Sequence, residues 1–65
     1  MHQYTAAEAL MLSEALRGAA ASAQAAMLEA QSCQDPQLRQ FLQSEAQRHR
    51  QSVQKIQQML GAQPH

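Results

Sequence analysis

The chain has 65 residues, with five Lys plus Arg against five Asp plus Glu and a single cysteine. So short a chain buries only about 60% of the surface its unfolded form exposes, which excludes a second domain and an enclosed substrate cavity. Formal neutrality argues against a nucleic-acid or anionic-membrane binder, which carries a basic excess on one face, and the lone Cys33 excludes a disulfide scaffold.

The first residues carry His2, Gln3 and Tyr4 where a secretory signal carries basic residues before an apolar core, and the apolar run Leu10, Met11, Leu12 stops at Ser13 and Glu14. No stretch approaches the roughly 20 apolar residues that span a bilayer. The expectation is a soluble, cytoplasmic chain not secreted by a signal peptide and not bound to a membrane, in which a free thiol is at ease. Alanine and glutamine occur 13 times each, while Thr5, Val53 and Ile56 are the only β-branched residues, a composition that favours helix.

The first helix is expected over about 5–33. Thr5 and Glu8 form the capping-box pattern, in which each side chain serves the other's backbone amide. Small or apolar residues then recur at Ala9, Leu12, Leu16, Ala19, Ala23, Ala26, Ala30 and Cys33, alternating three and four apart in one stripe. Gly18 costs about 1 kcal/mol relative to alanine in such a helix, so either a neighbour packs closely there or the helix bends.

Residues 34–35 are the expected turn. Asp35 is a good N-cap and Pro36 suits the first helical position, where its missing amide hydrogen would have had no partner. The second helix is expected over about 36–60, with a stripe of Leu38, Leu42, Glu45, Ala46, His49, Val53, Ile56, Met59 and Leu60. Gly61 then stands where a left-handed C-cap is wanted, and 61–65 form a tail.

Two helices joined by so short a turn run antiparallel, as an all-α hairpin. Opposed residue numbers then sum to roughly 69, setting Ala26 against Leu42, Ala23 against Ala46, Leu16 against Val53, and Ala19 or Ala20 against His49. Small residues facing larger ones imply close approach, near the short end of the 8–10 Å range. Helix 1 carries Glu8, Glu14 and Glu29 against Arg17. The segment from Asp35 onward carries Arg39, Arg48, Arg50 and Lys55 against Asp35 and Glu45, so the halves bear opposite net charge and complement each other. Surface pairs of this kind are worth about 0–1 kcal/mol each, enough to bias orientation only.

The expected core and interface comprise Leu12, Leu16, Ala19, Ala23, Ala26, Ala30, Leu38, Phe41, Leu42, Ala46, His49, Val53, Ile56, Met59 and Leu60. A lone hairpin leaves Leu10, Met11, Met27, Leu28, Phe41 and Met59 without assured cover. Pairing of two hairpins into a four-helix bundle is the usual remedy for a chain too small to fold alone, so a homodimer is expected.

The run Asp35-Pro36-Gln37-Leu38-Arg39-Gln40, followed by Glu45, His49, Ile56 and Met59-Leu60 and preceded by a long helix with Ser13-Glu14, resembles the spore coat F family and its short relatives, over roughly 10–60. The resemblance implies half of a ferritin-like four-helix bundle, a place in a spore coat and possible contact with other coat proteins. Some ferritin-like relatives hold two metal ions with helix-borne Glu and His. The pattern departs here: Glu45 and His49 are four apart rather than three, Arg48 stands where the His would be, and Ala19 or Ala20 lies opposite. No metal and no cofactor are therefore expected, with Glu45 and His49 the residues that would form a site shared across a dimer.

Glu45 and His49 share a helix face, where a carboxylate hydrogen-bonds an imidazole, and the plain reading is a polar pair at the core edge. Cys33 has no base beside it in sequence and reads as packing. Arg48 and Arg50, with Arg39 and Lys55, spread around the helix without interleaved aromatics and read as a solvated face, so no nucleic acid is expected. Met11, Met27 and Met59 read as adaptable filler. The function that follows is non-enzymatic: a structural or assembly protein of spore-coat type that self-associates through a helical bundle. The alternatives are a ferritin-like metal-binding protein and a helical adaptor for another protein.

Overall fold

A computed structural model describes residues 3–61, which form two α-helices, α1 (Ala6–Ser32) and α2 (Pro36–Gly61). α1 begins as its sequence dictates. The Glu8 amide donates to Thr5 Oγ1 at 3.1 Å and the Thr5 amide to Glu8 Oε1 at 2.9 Å, closing the capping box on an N-cap of extended backbone. Three serines within helices turn their hydroxyls back on the preceding turn, Ser13 to the Ala9 carbonyl at 3.0 Å, Ser32 to Leu28 at 3.1 Å and Ser52 to Arg48 at 3.3 Å. Their polar groups are thereby satisfied without solvent.

The connection is three residues, Cys33 to Asp35, one more than the expected turn, because Cys33 is an extended C-cap whose amide donates to the Ala30 carbonyl. Asp35 restarts the chain: its Oδ1 accepts from the amides of Gln37 at 2.9 Å and Leu38 at 3.2 Å, and its carbonyl takes the first helical bond, from Arg39. Helices of 27 and 26 residues would extend about 80 Å end to end, yet the molecule measures 46 × 17 × 12 Å, so they lie side by side and antiparallel. Met11 and Leu12 adjoin Met59 in one concavity, and Met27 and Gln31 adjoin Gln43 and Arg39 in another. Opposed numbers thus sum to about 70, the register counted from the turn.

Four alanines make the buried seam: Ala23, Ala26 and Ala30 of α1 and Ala46 of α2. Leu12, Leu16, Ala19, Leu42, His49, Val53, Ile56, Met59 and Leu60 flank it, half-buried, and no large side chain is fully enclosed. Leu38 corrects the sequence expectation as far as the hairpin's own core is concerned, since it is exposed, and Phe41, which a lone hairpin is expected to leave without assured cover, is exposed as well. Leu42 and Ala46 point α2 at α1, which turns Phe41 about 100° away from the seam, and Leu38 stands level with the last residues of α1, where the facing helix stops.

Three further expectations change. α2 continues through Gly61, and no residue among those described has a positive φ, because glycine permits the left-handed cap without requiring it. Ala62 to His65 of the expected tail lie outside the described residues. At Gly18 no atom lies within 4 Å of where a Cβ would stand, so close packing does not explain it. Gly18→Ala is expected to stabilise the hairpin itself by about 1 kcal/mol through helix propensity, read as a higher urea midpoint at a dilution where the chain is monomeric. Finally, the ion pairs Glu14–Arg17 (2.6 Å) and Glu45–Arg48 (2.8 Å) and the Glu45–His49 contact (3.8 Å) each lie within one helix. In none of them do the opposite net charges of the two halves bridge the seam, since a partner one turn away on the same helix is nearer than one beyond a row of alanines.

Candidate self-association surface

A shell of apolar side chains surrounds the alanine seam without being covered by it. Leu10, Met11, Leu28, Leu38 and Phe41 are each 49–68% exposed. Leu10 and Leu28 lie on the outer back of α1, whereas Phe41 and Leu38 sit at the turn end of α2 and Met11 at the open end of α1. The hairpin exposes 5055 Å². A compact monomer of 7.2 kDa exposes about 4,100 Å², leaving an excess of about 950 Å². One partner's share of a standard protein interface is about 800 Å². The radius of gyration makes the same point, at 14.8 Å against about 11 Å for a compact domain of this length.

The groove between the helices on one side is lined by Ala20, Ala23, Met27 and Val53, with Gln24, Arg50, Gln54 and Gln57 at its rim, and is open to solvent along its length. Three of the four rim side chains are glutamines, which hydrogen-bond water as readily as a ligand.

Beside the seam stands Glu45, three-quarters buried at its side chain. Arg48 holds its Oε1 at 2.8 Å, while His49 Nε2 lies 3.8 Å from its Oε2, beyond hydrogen-bond length. The structure therefore brings the two candidate ligands into one patch but places a guanidinium on one carboxylate oxygen. Among the described residues no three His, Cys, Asp or Glu side chains come together as a metal would need.

Sequence reasoning missed the device at the turn. Arg39 reaches back across it and donates from Nε at 3.0 Å and Nη2 at 2.6 Å to the Cys33 carbonyl. The last turn of α1 has no basic residue of its own, so α2 supplies the cation at that C-terminus. Only an arginine six residues beyond the cap signals this, and the spacing means nothing until the turn is known. Arg39→Met keeps the aliphatic stem and removes the fork; it is expected to cost about 1 kcal/mol in urea denaturation. Cys33 itself is half-buried, with Sγ 3.6 Å from the Asp35 carbonyl. With Arg39 at the turn, Arg48 on Glu45 and Arg50 at the groove, the basic residues point in different directions.

Among the described residues no helix is long and apolar enough to cross a membrane. No protein-family model matches the sequence, and no curated protein or solved structure matches the chain.

Proposed function

We propose that this chain is a non-enzymatic assembly module, a helical hairpin that pairs with a second copy to form a four-helix bundle. One observation carries the reading: the exposed area exceeds that of a compact monomer by about the amount one partner contributes to a standard interface. Met11, Leu38 and Phe41, three of the exposed large apolar side chains, are the groups such pairing would cover. A structural role of coat type is what the resemblance to the spore coat F family adds, and it fits a module whose features are all packing surfaces.

Sedimentation mass and helical circular dichroism, followed over a dilution series with and without zinc, manganese or ferrous ions, test the proposal. The expected result is a strongly helical dimer indifferent to metal, dissociating on dilution. A dimer formed only with metal, and lost in His49→Ala, would transfer the function to a shared Glu45 and His49 site. A poorly helical monomer at every concentration would make the chain an adaptor that folds on another protein.

A further inference from the structure

Phe41 and Met59 are 18 residues apart on α2, which is five turns of an α-helix, so both side chains leave it in one direction about 27 Å from each other. Met59 lines, with Tyr4, Glu8, Met11 and Leu12, a concavity of about 260 Å³ at the open end of the hairpin. Phe41, 57% exposed, projects at the turn end. Between them, within about 40° of the same line, come Glu45, Arg48, Ser52 and Lys55. This face is apolar at both ends and charged in the middle.

Resting on the self-association reading, we propose that the occupant of this face is a second copy of the chain, turned end for end about a two-fold axis perpendicular to the helices. Each Phe41 then seats in the concavity beside the partner's Met59. A two-fold interface repeats every contact, so the match must be self-complementary. Here opposed numbers on the two α2 helices sum to about 100. Phe41 meets Met59, Arg48 meets Ser52, and Glu45 meets Lys55, which has no carboxylate partner among the described residues. Glu45 is ready for it, because Arg48 occupies only Oε1. At the midpoint the same side of α1 presents Ala15, Gly18 and Ser22, small residues that allow the helices to approach. The register also brings Glu29 level with Met11 of the second copy and within about one turn of its Glu8, a like-charge cost that the two Glu45–Lys55 pairs offset. With both turns at the same end instead, Phe41 would face the level of Glu29 and its concavity would stay empty.

Cross-linking in a Cys33→Ser background tests the register. Two double variants, Phe41→Cys with Met59→Cys and Glu45→Cys with Lys55→Cys, place thiols too far apart within one chain to bond, but close across the proposed axis. Both are expected to convert the bulk of the chain to covalent dimer in a glutathione redox buffer, whereas Phe41→Cys alone leaves it monomeric on a non-reducing gel. The second pair keeps Phe41 and Met59 intact, so loss of the apolar anchor cannot mask the result. Sedimentation of each reduced variant separates the two levels of the argument. A reduced dimer that neither pair cross-links, or one that Phe41→Cys alone cross-links, overturns this register and leaves self-association standing. Reduced monomer throughout, in the Cys33→Ser parent as well, overturns both.

Discussion

Ala46→Leu is expected to lower the stability of the protein by about 1–3 kcal/mol, the cost of forcing extra methylenes into a filled core position. Ala46 is the most enclosed of the described residues, at 1% exposure, and its level in the register is that of Ala23. A leucine there adds three carbons to a seam that alanines on both helices have brought to close approach. The side chain must adopt an unfavourable rotamer, or the helices must part and loosen Ala26 and Ala30 as well. A domain below about 70 residues rarely has more than about 3–5 kcal/mol in total, so the loss is a large share of it. Urea denaturation followed by circular dichroism at one fixed concentration reads the effect. Ala21→Leu, on the exposed side of α1, is the control for helix propensity and leaves the midpoint in place. A midpoint unchanged or raised in Ala46→Leu would show that the seam has room, and that close approach of small residues is not what holds the hairpin.

The features legible in the sequence are those whose physics is local or periodic. Thr5 with Glu8 and Asp35 with Pro36 announce helix starts because caps act within four residues, and the structure closes both as read. Ala23, Ala26, Ala30 and Ala46 are legible because their spacing of three and four, counted from a short turn, aligns them. What escaped depends on where the other helix is. The α2 stripe includes Leu38, yet at the very end of α1 too little of the facing helix remains to cover it, while Phe41, about 100° from the seam, is bare as its place off the stripe implies. Arg39 reads as one more surface charge until the turn brings the Cys33 carbonyl under it. Opposite charge on the two halves suggests bridges across the seam, yet Glu14 and Glu45 find arginines on their own helix, which involves no ordering of a second one.

The substitution pair Leu38→Gln and Phe41→Gln separates the surface from the seam. Both side chains are about half exposed in the hairpin, so replacing them removes little of its internal packing, and glutamine keeps the helix propensity of α2. Full burial is worth about 1.5–3 kcal/mol for a leucine or phenylalanine, and about half of that remains to be gained when such a side chain enters an interface. Two residues in each of two copies then contribute about 4 kcal/mol to association, which corresponds to a dissociation constant raised by about 10³-fold. Sedimentation equilibrium of the double variant is expected to show monomer at concentrations where the parent is dimeric. Its helicity then reports whether the alanine seam holds without a partner: retained signal gives the hairpin independent stability, and lost signal makes folding and pairing one step. An unchanged dissociation constant would place the interface elsewhere, with the outer back of α1 at Leu10 and Leu28 the remaining exposed apolar surface large enough to supply it.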